Sequence, residues 1–348
     1  MNEARLLELL NAFTEQRIAV FGDLFLDKYL EIDPELEEIS IETGEIAHQI
    51  VGKRCQPGAA GTVCNNLSSL QVGAIKVLSV IGDDGEGYDL KQALRARRIE
   101  PVLVETRDRF TPTYCKPMSQ QSDGEIELER QDTKNRGLLG RDLEDAVLAK
   151  LDELAPQVDA IIIADQVQER NCGVITDRVR EHVAHLALHL PDTLFYADSR
   201  VRIGEFDNVI LKPNRFECVN AVKPIKGDDE PPTELAMQCA RELHQKTGQT
   251  VFLTLDKEGI CPIGGESETR VPCPPVTGPI DIVGAGDSVT AGIVSALCAG
   301  ATPNEAAIIG NLVASITIRQ LGTTGQASPQ QVIEAYRVNQ ALYSSIPA

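Results

Sequence analysis

The chain has 348 residues, 42% apolar and 24% charged, enough for one elaborated α/β domain or two ordinary ones, and that composition fits neither a small stapled fold nor global disorder. Lys and Arg number 33 against 52 Asp and Glu, and the net charge of −19 argues against nucleic acid or a membrane surface as partner. An anionic small molecule would need a local cluster of donors or a metal ion to overcome that field.

In chain order, residues 1–13 (MNEARLLELLNAF) set Leu6, Leu7, Leu9, Leu10 and Phe13 at helical spacing, with neither a basic leader nor a small-residue cleavage site. The pattern predicts an amphipathic helix, not a secretory signal. No apolar stretch approaches the ~20 residues of a membrane span, and nine cysteines without a C-x-x-C pair fit a reducing compartment. The expected location is cytoplasmic.

Six apolar runs each end in a polar group: Ile18–Asp23, Val77–Asp83, Ile161–Asp165, Leu194–Asp198, Val209–Asn214 and Val251–Asp256. They read as strands buried on both faces. Segments Leu143–Leu154, Val174–Leu188 and Glu234–Gln245 have helical periodicity, and Val289–Ala299 makes a further helical run. Strand–helix alternation implies parallel crossovers, so the expected fold is an α/β three-layer sandwich with a mostly parallel central sheet, a single domain over residues 1–348. Residues 29–56 and 105–132 break the alternation with extended segments, including Thr113–Met118 and Glu125–Arg130 around the turn Ser122-Asp123-Gly124. They predict a small inserted β-sheet placed to act as a lid, or alternatively a structural flap or dimer surface. Residues 221–233 read as a flexible surface loop, and Cys261 and Cys273 flank a hairpin.

Ligands of open parallel sheets bind beyond the strands' carboxyl ends, here marked by Asp23, Asp83, Asp165, Asp198, Asn214 and Asp256, residues that also serve as turn formers and caps. The most informative segment is Thr277–Ser288, containing Gly284-Ala285-Gly286-Asp287 before the Val289–Ala299 run. Glycines let successive N–H groups converge on a helix start, which makes an anion hole, and Asp287 at its mouth can take a proton from a hydroxyl. A Gly-rich turn with an acidic cap is the alternative reading. Asn214 and Glu217, one turn apart, suit either a hydrated Mg²⁺ or a capping box. There is no G-x-x-x-x-G-K-[ST] loop, Gly82–Gly87 does not match G-x-G-x-x-G, and HExxH is absent. His182, His185 and His189 share a helix face but lack a fourth zinc ligand.

The ordered motifs Gly58–Asn66, Asn214–Glu217, Thr254–Gly259 and Asp281–Asp287 resemble those of the ribokinase/PfkB carbohydrate kinases over nearly the whole chain. The resemblance implies a ribokinase-like fold and ATP- and Mg²⁺-dependent phosphorylation of a sugar or sugar-phosphate hydroxyl. By it, Asp287 is the base, and Gly284, Ala285 and Gly286 donate N–H groups to the γ-phosphate. Asn214 and Glu217 organise Mg²⁺ and phosphates. Asp27, Gly58, Ala59 and Thr62 grip the sugar, with Lys116 and Asp165 also assigned to the substrate. Arg200, Thr254, Gly259 and Asn311 border the nucleotide. A requirement for a monovalent cation is left open, and a homodimer through the lid is expected.

Gly22–Lys28, Thr113–Pro117 and Asn311–Thr323 resemble the heptose 7-phosphate kinase branch. The chain departs from the pattern at Ala59, where a second Gly is usual, at Thr62 for Asn, at Gln166-Val167-Gln168, at Ser199-Arg200, and at Asp256 for Gly. No H-x-G-H nucleotidyltransferase motif is present. A phosphorylated acceptor would call on Lys116, Arg130 and Arg200, each of which also suits an ordinary ion pair. The rival readings are a catalytically silent kinase-like sugar- or nucleotide-binding regulator and a nucleoside kinase of the same superfamily.

Overall fold

Strand β1 (Arg17–Gly22) runs Ile18-Ala19-Val20-Phe21 with no polar break, and all four side chains are fully buried. Alternation then sends Ile18 and Val20 into one core and Ala19 and Phe21 into another, so the strand needs helices on both faces. This computed structural model describes residues 1–121, 124–224, 227, 229–264 and 268–347. Ser122 and Asp123 of the expected turn, and Ile225, Lys226 and Asp228 of the expected loop, lie outside the described residues.

After helix α1 (Glu3–Ala12) and β1 the chain leaves the main sheet as β2 (Leu24–Ile32), a small hairpin β3 (Glu38–Ile39) and β4 (Ile46–Ala47), and β5 (Ile50–Ala59). It returns through α2 (Ala60–Ser69), β6 (Ala74–Gly82), α3 (Gly85–Ala96) and β7 (Ile99–Thr106), then leaves again as β8 (Thr113–Gln121), β9 (Gly124–Glu127) and β10 (Gln131–Thr133). The second half alternates α4 (Arg141–Leu154), β11 (Ala160–Asp165), α5 (Asp177–His189), β12 (Leu194–Ser199), β13 (Ile210–Leu211), α6 (Arg215–Val222), α7 (Thr233–Thr247), β14 (Val251–Thr254) and β15 (Ile260–Ile263). Helices α8 (Ala285–Cys298), α9 (Pro303–Thr317) and α10 (Pro329–Tyr343) close the chain.

The central sheet has the order β15-β14-β13-β12-β11-β1-β6-β7, parallel except for the antiparallel β14–β15 pair. Helices α1, α2, α8, α9 and α10 bury their apolar faces in one core, and α4 to α7 in the other. The expected sandwich is therefore realised. Two strands lie beyond the six apolar runs. Edge strand β7 escapes that pattern because Glu100, Pro101 and Glu105 interrupt it, as befits a strand with one unpaired edge. β15 belongs to the hairpin expected near Cys261.

The second sheet has the order β10-β8-β2-β5, with β9 on the same side of β8. Its strands begin at Leu24 and Thr113, while residues 105–106 belong to β7 of the main sheet. The switch between sheets occurs at Gly22-Asp23. Gly22 has φ +155°, and a Cβ there would overlap the Ala164 carbonyl. The buried Asp23 carboxylate accepts N–H bonds from Gln166 and Val167 (both 2.9 Å) and Val174 (2.7 Å), which ties the root of the second sheet to the segment after β11. Burial, with Asp165 nearby, pushes the Asp23 carboxyl up to about 6.

Candidate active site

Gly284 caps the N-terminus of helix α8; its φ of +79° is left-handed, and its position would bring a Cβ to 3.2 Å from Thr62 Cγ2. Glycine alone meets both demands. The Ala285 N–H donates to the Ile282 carbonyl (3.1 Å) and the Ser288 N–H to Gly284 (3.0 Å). Among the described residues the N–H groups of Gly284, Gly286 and Asp287 have no protein acceptor, which leaves three open donors at the helix start. Ala285, expected to donate there, is held by the turn. The hydrogen of Gly286 faces Lys212: a Cβ would stand 3.6 Å from its Nζ.

Lys212 is the central charge of the site, and sequence reasoning gave it no role. It follows β13 directly, is 4% exposed, and its Nζ lies 3.0 Å from Asp198 Oδ2 at the end of β12. Asp198 also accepts from Thr290 Oγ1 of α8 (3.1 Å), so one carboxylate joins two strand ends to the helix that carries Asp287. Burial opposes the ammonium, but Asp198, Glu217 and Asp287 together outweigh it and keep Lys212 above its ordinary pKa. The carboxylates respond in the opposite sense. Burial and the charge of Asp198 push Asp287 up to about 7, while Lys212 and Arg200 restrain the rise. Burial likewise carries Glu217 to about 7, against the pull of Lys212. A lysine closing an apolar run two residues before Asn214 was the available signal.

Asn214 and Glu217 take the capping-box arrangement. Asn214 Oδ1 accepts the Glu217 N–H (2.9 Å) and Glu217 Oε2 accepts the Asn214 N–H (2.7 Å), which fixes the start of α6. That leaves Glu217 Oε1 for a ligand. Thr254 sits beside them, its N–H donating to the Pro213 carbonyl (3.0 Å). Asp256, in a position where Gly is usual, has φ +50°. Gly259 has φ +95°, with the Val271 carbonyl where a Cβ would be, and Asn311 Nδ2 holds that same carbonyl at 3.0 Å. Thus Thr254, Gly259 and Asn311 line one loop system, with Asn311 acting as its tether.

On the second-sheet side, Asp27 Oδ1 pairs with Lys116 Nζ at 3.1 Å, and Lys116 stands over the Tyr29 ring at 4.8 Å. Gly58 lies across the β2–β5 ladder, where a Cβ would reach 2.5 Å from Asp27 Oδ2. Thr62 on α2 approaches Gly284, so the Gly58–Asn66 motif and the start of α8 meet. Asp165 is different. Its carboxylate, 1% exposed, is taken up by Ser199 Oγ (2.6 Å), Arg202 Nη2 (2.9 Å) and Arg180 (4.0 Å), and it anchors the strand ends instead of facing an acceptor. Exposed Arg200 makes no ion pair within 4 Å among the described residues, yet its charge acts on both Asp287 and Glu217.

The family model described as pfkB family carbohydrate kinase matches residues 29–331. The chain belongs to the pfkB family of carbohydrate kinases. It is 28% identical over 325 residues to the bifunctional protein HldE of Hyphomonas neptunium, covering 92% of this chain and 63% of that protein. It is 27% identical over 312 residues to the HldE of Helicobacter pylori, covering 88% and 64%. The chain thus spans less than two thirds of the length of these curated relatives. Among solved structures it is similar to phosphofructokinase-2 of Escherichia coli in complex with potassium, with a TM-score of 0.70, 17% identity, and 93% and 99% of the two chains covered. It is also similar to Arabidopsis thaliana ribokinase complexed with ribose and ATP, with a TM-score of 0.62, 18% identity, and 92% and 98% covered. These likenesses show that the fold is that of pfkB kinases.

Within this pfkB kinase, Ala59 carries local strain. It stands before α2 at φ +52° and ψ −118°, a conformation an alanine adopts only at a cost of about 1–3 kcal/mol. Ala59→Gly is expected to raise stability by about 1 kcal/mol, since the strain relieved exceeds the added freedom of the unfolded chain. Urea unfolding checks this, and a lower midpoint would contradict it.

Proposed function

We propose that the protein transfers the γ-phosphate of ATP to a hydroxyl group of a sugar or sugar phosphate, with Asp287 as general base. The observation that carries this reading is the pairing of free N–H donors at Gly284, Gly286 and Asp287 with a carboxyl raised to about 7 beside buried Lys212. A base near neutrality accepts a proton readily at physiological pH, and the carboxylate of Asp287 accepts no hydrogen bond from a described residue that would compete. Asp287 removes the hydroxyl proton as the acceptor oxygen forms its bond to the γ-phosphorus. The bond from that phosphorus to the bridging oxygen breaks, and ADP leaves with the electron pair. The Gly284–Asp287 donors and Lys212 stabilise the charge on the transferring group.

Mg²⁺, when bound, would shield phosphate charge and align the chain of phosphates. Glu217 Oε1 is the protein oxygen best placed to hold it or one of its waters. Among the described residues no group of three His, Cys, Asp or Glu forms a cage for a metal. One free carboxylate oxygen suits an ion that keeps most of its waters and rests on phosphates. Asp27 and the Gly58–Thr62 turn hold the sugar in this reading, while Thr254 and the Gly259 loop border the nucleotide.

The second sheet supports a homodimer in this reading. Ile50, Val51 and Ile126 are exposed on it, and Ile39, Ile41 and Ile46 on the β3–β4 hairpin beside β5 in the chain, Ile41 by 98%; apolar side chains left open in this number call for a covering surface. Nine unpaired cysteines fit a cytoplasmic location, and no described helix is long and apolar enough to cross a membrane.

Asp287→Asn is expected to lower turnover by a factor on the order of 10²–10⁴, the worth of a positioned base, with nucleotide binding retained. Steady-state kinetics with Mg²⁺ and ATP across sugars, sugar phosphates and nucleosides checks it, and undiminished turnover would remove Asp287 from the role. Light scattering at micromolar concentration is expected to give the mass of a dimer; a monomer would overturn the lid interface.

A further inference from the structure

Helix α5 carries three histidines along one face, His182, His185 and His189, and the kinase reading uses none of them. Their rings stand in a near-parallel row. The centroids of His185 and His189 are 4.1 Å apart with 26° between the planes, and His182 lies 6.4 Å from His185. His182 is committed, since its Nε2 lies 2.6 Å from Asp152 Oδ1 on α4. The ring nitrogens of His185 have no hydrogen-bond partner among the described residues. Both His185 and His189 are exposed, so an ion reaches them from solvent.

His189 is already oriented as a ligand. Its Nδ1 lies 2.8 Å from the His185 carbonyl, and a carbonyl only accepts, so Nδ1 bears the hydrogen and Nε2 keeps its lone pair on the far side of the ring. A backbone carbonyl in that place is a usual support of a metal-bound imidazole, because it fixes the tautomer and raises the basicity of the other nitrogen. Residues four apart on a helix have Cβ atoms roughly 5–6 Å from each other. Metal–nitrogen bonds of about 2.0–2.1 Å set two neighbouring ligand nitrogens about 3 Å apart, a separation that exposed rings at 4.1 Å reach by side-chain rotation. His189 also occupies the last turn of α5, where the helix dipole favours a cation, and the net charge of −19 acts in the same sense.

We infer that His185 and His189 form a chelating site for one divalent transition-metal ion of the class that prefers imidazole, such as Zn²⁺ or Ni²⁺, with water completing its coordination. The site shares no residue with the candidate active site and does not rest on the kinase reading. Mg²⁺ is not its ion, because that hard cation takes oxygen ligands and keeps its waters. Two imidazoles hold the ion without a cage, in keeping with the absence of any group of three His, Cys, Asp or Glu suited to a metal among the described residues.

The test is calorimetric titration of the full chain with Ni²⁺, in excess Mg²⁺ to fill carboxylate sites and without nucleotide, which would compete as a chelator. One ion per chain is expected. His185→Asn and His189→Asn are each expected to weaken binding about 10-fold or more, since a ligand is worth at least as much as the groups that support one. Both positions are exposed, so the urea midpoint of either variant is expected to match that of the parent chain. His182→Asn is expected to leave the affinity unchanged, because Asp152 already engages that ring. A second readout is NMR of the five histidine rings at sub-stoichiometric Ni²⁺, with paramagnetic broadening expected at His185 and His189 before His48 and His244. No binding up to millimolar Ni²⁺, binding indifferent to both single variants, an equal loss in His182→Asn, or broadening that begins at His48 or His244 would overturn the inference.

Discussion

One buried ammonium organises this site. Lys212 is withdrawn from water at the end of β13 and survives there as a cation because Asp198 pairs with it and Glu217 and Asp287 lie within its field. Its neighbours depend on it in turn. Burial, reinforced by the charge of Asp198, pushes Asp287 and Glu217 up to about 7, and the field of the lysine restrains that rise. The hydrogen bond from Thr290 to Asp198 then ties α8 to the strand ends, so Asp287 and the open N–H donors share one support.

The second constraint is the turn from β1 into β2. Gly22 permits the close approach to Ala164, and Asp23 gathers three N–H groups from the segment after β11. The second sheet is thereby rooted at the carboxyl edge of the main sheet, beside the segment after β11. Asp27 and Gly58 face each other within it, and Thr62 carries the same motif to Gly284. A patch of polar chemistry drawn from three distant stretches of chain is thus held by backbone geometry more than by side-chain ion pairs.

Much of this was legible in the sequence. Unbroken apolar runs marked the inner strands because burial on both faces forbids polar interruptions, and Gly284 to Asp287 announced a donor-rich helix start. Edge strand β7 was hidden by the solvent on one side of it, which tolerates Glu100, Pro101 and Glu105. Lys212 was hidden for the opposite reason: a charge is read as surface unless its partners are known, and Asp198 arrives from another strand. Asp165 and Ala285 looked free in the sequence but are engaged by Arg202 and Ile282, contacts that spacing does not report. Asn214 and Glu217 satisfied two readings at once, and their side chains take the capping box while leaving one oxygen open.

The most direct measurement is a site-resolved titration of the Asp287 carboxyl by NMR of carboxyl-labelled aspartate, with Asp287→Asn as the assignment control. A midpoint near 7 is expected, well above the ordinary carboxylate range of about 4. A midpoint in that ordinary range would mean that the buried charge around Lys212 does not poise Asp287 as a base.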